Sequence, residues 1–223
     1  MSGFFIDKDI VMYADDFLTN LFAQIFSQLW WLIPLFILIA FFKSSYFKGW
    51  AGERRVKTVT LQLDPDSYTV FHDVTLPTPT GSTQIDHIII SACGVFVIET
   101  KNYSGWIFGS EKSSYWTQVI YKNKNKFQNP LRQNYKHIKT LKELTQLPFN
   151  VFHSVIVFAG DATFKTDLPK NVIKQQSLKK YLQGFNEIVL TEQQIYQVRS
   201  QIEDNRLECG FKTNQQHVRN LKK

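Results

Sequence analysis

The chain has 223 residues, 43% of them apolar, and carries a formal net charge of +7. That length holds one domain and an appendage, with apolar residues enough for a real core, and the positive balance favours an acidic partner such as nucleic acid or anionic lipid. The two cysteines, Cys93 and Cys209, lack metal-ligand spacing, provide no disulfide framework beyond one bridge between themselves, and suit a reducing compartment.

The run from Phe22 to Phe42 is almost wholly apolar. Taken from residue 21 it reaches the roughly 20 residues that a bilayer crossing needs, so one transmembrane helix is expected over 21–42. Pro34 is tolerable in such a helix, while Trp30 and Trp31 would sit deeper than an interfacial belt. A buried core helix or an interfacial hairpin is the competing reading. The leading segment holds Asp7, Asp9, Asp15 and Asp16 rather than a basic stretch, and no small-residue cleavage site follows, unlike a signal peptide. Lys43, Lys48, Arg54, Arg55 and Lys57 follow the run, whereas only Lys8 precedes it. Positive charge stays inside. The expectation is a single-pass protein of the cell membrane, with an extracytoplasmic segment at 1–20 and the C-terminal part in the cytoplasm.

Helical spacing of Glu53, Val56, Val59 or Thr60, and Leu63 predicts a helix over 49–63, stopped by Asp64-Pro65-Asp66. A strand over 68–76 and a turn over 77–82 lead to two apolar strands, which end at Glu99-Thr100-Lys101. Further strands are expected at 106–107 and 115–121, with a connecting loop at 122–126. Asn129 and Pro130 read as the cap and first residue of a helix to about Thr145. The run 151–158, apolar but for His153-Ser154, reads as a central strand buried on both faces. Short helices are expected at 177–184 and 191–205. This order predicts an α/β fold with a mixed central sheet flanked by helices.

The chemistry concentrates in the two apolar strands. A turn centred on Ala92-Cys93 places Asp86 opposite Glu99. Opposed Cβ atoms lie roughly 4.5–5.5 Å apart, where like charges destabilise the pair. A divalent cation between them would remove the repulsion. Glu99 and Lys101 share one face of their strand. Asp86 and Glu99 are therefore the candidate metal ligands, with the Thr100 carbonyl as a third and Lys101 as the group that orients water or stabilises charge. Glu53, on the helix face that carries Val56, would complete the acidic cluster. The chemistry that needs such a set is phosphodiester hydrolysis with Mg2+ or Mn2+. Simpler readings exist for several neighbours. His87 points to the face opposite Asp86 and reads as structural or exposed. Lys122, Lys124 and Lys126 would contact a nucleic-acid backbone or merely be solvated. Trp106, Tyr115 and Trp116 would stack on bases or, more simply, fill the core.

An acidic residue in an early helix, an Asp in one strand and E-x-K in the next resembles the PD-(D/E)xK nuclease superfamily. The longer text is more specific. Gly52-Glu53, Gln84-Ile85-Asp86-His87, Gly94 through Lys101-Asn102-Tyr103-Ser104-Gly105, and Asn129-Pro130-Leu131-Arg132-Gln133 together are similar to the nuclease-related (NERD) domain. The resemblance implies a restriction-endonuclease-like core over 49–165, with 166–223 as a C-terminal helical extension of the same domain. It implies Mg2+ or Mn2+ as cofactor and nucleic acid, in the first instance DNA, as partner and substrate. Carried over residue by residue, Glu53, Asp86, Glu99 and Lys101 match the acidic and basic positions, and Gln133 matches the glutamine of the later helix. No Pro precedes Asp86, a departure from the superfamily's name. The rival expectation is a module of the same fold that holds nucleic acid, or serves as a membrane scaffold, without cutting.

Overall fold

A computed structural model describes residues 8–207. Cys209, the rest of 208–223, and Asp7 with the rest of 1–7 lie outside the described residues. The chain divides into two units, 1–48 and 49–223.

The first unit contains α1 (Lys8–Leu29) and α2 (Leu32–Lys43). The single helix expected over 21–42 is thus broken at Trp30-Trp31. Pro34 explains the break: it has no N–H for the Trp30 carbonyl, and its ring would strike that oxygen in a continuous helix. The Trp30 carbonyl accepts instead from the Ile33 amide at 3.1 Å. Among the described residues no single helix is long and apolar enough to cross a membrane. The segments Phe17–Leu29 and Leu32–Phe42, bent by 57°, reach that length and apolarity only together. Their large side chains lie open, Phe22, Phe26 and Phe36 among them.

After α3 (Ser45–Thr60) come β1 (Thr69–Thr78), β2 (Gly81–Ser91) and β3 (Gly94–Lys101), an antiparallel meander. β7 (Phe152–Phe158) adds to β3 in parallel and β9 (Val172–Lys174) adds to β7, giving a mixed sheet in the order β1-β2-β3-β7-β9. One face is covered by α4 (Pro130–Thr145) and α6 (Glu192–Asn205), through Ile138, Leu141, Val198 and Ile202 against Ile88, Val95 and Val97. The other is covered by Val56 of α3 and by Leu178 and Leu182 of α5 (Leu178–Leu182), against Ile89, Phe96 and Ile98. The α/β core with a mixed sheet between helices is as expected.

A second sheet, order β6-β5-β4-β8, was not foreseen as such. It comprises β4 (Gly105–Phe108), β5 (Tyr115–Ile120), β6 (Asn123–Gln128) and β8 (Ala162–Phe164). The expected loop at 122–126 is mostly β6, joined to β5 by a two-residue turn at Tyr121-Lys122 with Tyr121 at φ 53°. As an edge strand exposed over most of its length, β6 has no apolar alternation to betray it, and its lysines suit an unpaired edge. Similarly, β1 and β2 run further than expected, down to a turn at Pro79-Thr80.

The start of α4 follows the sequence closely. The Asn129 side-chain oxygen accepts from the Leu131 amide at 3.0 Å, and Pro130 occupies the first turn. The Asn129 amide group also donates to the Ser113 carbonyl at 2.7 Å, which ties the helix to the β4–β5 loop. At α6, Thr191 and Gln194 form a reciprocal capping box.

Candidate active site

The register of β2 and β3 is the one that a turn at Ala92-Cys93 requires, from Ser91–Gly94 out to His87–Ile98. Regular pairing then stops, one position short of Asp86 and Glu99. The Asp86 carboxylate instead accepts the Thr100 amide at 2.7 Å. In an extended strand a residue's N–H and C=O leave by the same edge, so the Thr100 carbonyl also faces β2. The Thr100 hydroxyl is buried without a hydrogen-bond partner.

Pairing lapses on the other side of Asp86 as well. β1 and β2 pair at His72–His87 and at Val74–Ile85, but not at Asp73 and Asp86 between them. Asp73 has φ 52°, a left-handed conformation that Asp tolerates better than most residues. The inward alternation slips by one there, so Phe71 and Val74, like Ile88 and Ile85, enter the same core. Asp86 therefore sits where β2 has lost regular bonding to both neighbours, and its side chain reaches the opening between strands.

Glu99 is 2% exposed and is held from two sides. Lys101 Nζ donates to Oε1 at 2.5 Å, and His137 Nε2 donates to Oε2 at 3.2 Å. Lys101 Nζ also donates to Gln133 Oε1 at 3.0 Å. The far nitrogen of His137 meets the Thr83 hydroxyl at 2.7 Å. Gln133 and His137 are four residues apart on α4 and so project from one face of it. Between them, Asn134 is fully buried and donates to the Val97 carbonyl at 2.7 Å and the Ser154 hydroxyl at 2.9 Å, locking α4 onto β3 and β7.

Glu53 approaches from α3. Gly52 makes this possible, because a Cβ there would lie 2.5 Å from the Asn102 Cβ, just past Lys101. The Arg55 guanidinium donates to the Ala159 carbonyl at 2.9 Å, and the Ala159 amide donates to the Lys101 carbonyl at 3.0 Å. These bonds fix the helix against the strand ends that carry the acidic residues.

The electrostatics record the crowding. Asp86 keeps some accessible surface, yet protein encloses its carboxylate. Burial, then the Glu99 charge, push its pKa well above the usual range, against the Thr100 amide. Glu53 is pushed up to about 7 by burial and by the Asp73 and Glu99 charges, against Lys101. Burial acts the same way on Glu99, but Lys101 and His137 outweigh it and hold that carboxyl below its ordinary value. Lys101 is raised, since Glu99 outweighs its burial. The cluster thus carries more negative charge than it comfortably holds.

Five of the expected residues are brought together: Asp86, Glu99, Thr100, Lys101 and Gln133 connect through the hydrogen bonds above, and Glu53 joins them electrostatically. Among the described residues no group of three His, Cys, Asp or Glu side chains is gathered to hold a metal by itself. The donors on offer are two carboxylates and a backbone carbonyl, hard oxygens of the kind Mg2+ and Mn2+ take. Their mutual repulsion and the raised Asp86 fit a cation, which would draw its remaining ligands from water. Sequence reasoning missed His137 and Asp73. His137 was signalled only by its helical spacing from Gln133. His87 is structural: it is 1% exposed and its Nδ1 lies 2.8 Å from His72 Nδ1. Trp116 is fully buried, as the simpler reading had it, but Trp106 and Tyr115 are exposed.

A groove of about 400 Å3 opens beside the cluster, lined by Gln84, Gln128, Gln133, Lys136 and His137 among others. Two of its lining residues, Gln133 and His137, hydrogen-bond to Lys101 and Glu99.

A family model for the nuclease-related domain matches residues 48–159. That range includes Glu53, Asp86, Glu99, Lys101, Gln133 and His137. An uncharacterized protein of Bacillus anthracis is 43% identical over 157 residues, which cover 68% of this chain and 74% of that protein. No solved structure matches the chain.

Proposed function

Because the chain belongs to the nuclease-related domain family, we propose that it is a Mg2+- or Mn2+-dependent nuclease that hydrolyses phosphodiesters of nucleic acid, in the first instance DNA. The observation that carries this reading is the Asp86 carboxylate, held by the Thr100 amide where both ladders lapse and raised by the Glu99 charge beside it. Carboxylates crowded together under partial burial cost free energy that a cation between them would offset.

In this reading Asp86, Glu99 and the Thr100 carbonyl hold the ion, and Glu53 adds negative charge from α3. The ion would polarise the scissile phosphate and neutralise charge that develops on it. Lys101 supplies a fixed positive charge to the phosphate or to the attacking water. Gln133 keeps the ammonium aimed, and His137, on the Glu99 oxygen that Lys101 does not hold, fixes the orientation of that carboxylate. The groove beside α4 receives the nucleic acid.

One observation favours a second reading. Both Glu99 oxygens are already hydrogen-bonded, to Lys101 and His137, so the acid cluster is partly neutralised without a metal. A module of this fold that binds nucleic acid without cutting would need no more. Calorimetric titration of Mn2+ into the full chain and into Asp86→Ala separates the two. Binding in the wild type that disappears in the variant supports the nuclease. No binding in either, repeated with DNA present to complete the metal shell, supports the non-catalytic module.

The proposal extends to the cell membrane as the location, with the bent pair of helices inserted and the domain on the cytoplasmic side. The exposed phenylalanines of α1 and α2 and the basic residues that follow support it. Carbonate extraction of membranes tests it: release of the protein into the supernatant would refute insertion.

A further inference from the structure

The outer face of the four-stranded sheet takes no part in the acid site, and it has a composition of its own. Ile107 is fully buried, so Trp106 and Phe108 on either side of it point outward. Trp116 is likewise buried, which turns Tyr115, Thr117 and Val119 outward. The register sets Val119 beside Trp106 and brings Lys124 and Lys126 opposite Val119 and Thr117. Lys165, just past β8, places its Nζ 4.7 Å from the centre of the Trp106 ring. Trp106 is 51% exposed and Tyr115 63%. The four strands contain no Asp or Glu.

We propose that this face binds single-stranded nucleic acid, with Trp106 and Tyr115 stacking on bases and Lys124, Lys126 and Lys165 meeting phosphates. The inference rests on the nucleic-acid reading of the neighbouring site and names the form of the strand. Charge complementarity selects a polyanion. The open aromatic rings select one whose bases are unpaired, because a duplex offers base edges and phosphates but keeps its flat base faces stacked inside. Tyr115 lies four residues along β5 from the Trp106 partner Val119, roughly 13 Å at strand rise. That exceeds the ~3.4 Å step between stacked bases, so the two rings engage different bases of an extended strand. Gln128 gives continuity with the acid site. It pairs with Tyr115 on this sheet and also lines the groove that contains Gln133 and His137. A strand laid across the face therefore leads into that groove.

The test is fluorescence anisotropy on the full chain in detergent micelles, in EDTA so that binding is read without cleavage. The probes are labelled oligo(dT) of about 16 nucleotides, long enough for one such surface, and the duplex formed with its complement. The wild type should prefer the single strand. Trp106→Ala and Tyr115→Ala should each weaken it by roughly 5- to 150-fold, the value of one stacked base. Trp106→Phe should retain most of the affinity. Lys126→Gln should lower the slope of log affinity against log salt by about 0.7. Tyr196→Ala, at an exposed aromatic of α6 outside this sheet, should bind as the wild type does. Equal affinity for strand and duplex, or unchanged affinity in both alanine variants, overturns the proposal. So does loss in the same variants of binding to anionic phosphatidylserine vesicles rather than to the oligonucleotide, which would make the face a membrane contact. If Asp86→Ala alone abolishes strand binding, this surface is refuted while the acid-site reading stands. If the wild type binds neither probe, the surface is refuted, and Mg2+-dependent cleavage judges the acid site separately.

Discussion

Replacing Glu53 with glutamine should stabilise the metal-free protein at pH 8 and leave it unchanged near pH 4. In the folded chain this carboxyl is raised from 4.5 to about 7 by burial and by Asp73 and Glu99. Between those two values the native state keeps a proton that the unfolded chain has released. Stability present below about 4.5 is therefore lost as pH rises through about 7. The full difference amounts to about 3 kcal/mol at 1.36 kcal/mol per pH unit. Glu53 is only half-buried, and solvent screening brings the expected gain down to roughly 1–2 kcal/mol. Glutamine has the shape and neutrality of the protonated acid, so it removes the loss at high pH without adding anything at low pH. Urea unfolding in EDTA, followed by near-UV circular dichroism at pH 4 and pH 8, measures both ends. For a domain of this size the gain corresponds to about 2–8 °C in Tm. A variant no more stable than the wild type at pH 8, or equally stabilised at both pH values, would refute the crowding of Glu53 with the other carboxylates.

Three further outcomes are expected. His137→Ala should weaken Mn2+ binding by about 10- to 100-fold, as loss of an orienting partner does, with the fold intact by circular dichroism; unchanged affinity would remove His137 from the site. His87 is held down from 6.5 to about 3, chiefly by burial and then by His72, so its contribution, present above about 6.5, is lost as pH falls. Lowering the pH from 7 to 4 should cost the wild type about 3 kcal/mol more than His87→Gln in urea unfolding, and parallel pH profiles would contradict this. Gly52→Ala forces a Cβ to 2.5 Å from Asn102 and should destabilise the domain by about 1–3 kcal/mol in the same assay; a neutral result would mean that α3 does not press on the β3–β4 loop.

The parts of the site that could be read from the chain are those carried by neighbours in sequence. The β2–β3 hairpin spans Gly81 to Lys101, its alternation sets the register, and Asp86, Glu99 and Lys101 follow from it. The start of α4 was equally local, since Asn129-Pro130 carries its own cap. What escaped depends on contacts between distant residues. His137 meets Glu99 across 38 positions, and nothing on an amphipathic helix distinguishes such a histidine beforehand. The lapse at Asp73 and Asp86 needs the pairing of β1, which local pattern does not provide. β6 lies exposed at a sheet edge, so no burial imposes a period on Lys124 and Lys126. The broken helix is a different kind of miss. Pro34 was visible, but apolar length measures transfer to lipid and is blind to the carbonyl that a proline leaves without its N–H.

The central claim is tested most directly by incubating single-stranded and duplex DNA with the full chain and with Lys101→Ala, in Mg2+, in Mn2+ and in EDTA. The account predicts cleavage by the wild type with either ion, none in EDTA, and none by the variant. Undiminished cleavage by Lys101→Ala, or no cleavage by the wild type with either ion, would contradict a nuclease built on Asp86, Glu99 and Lys101.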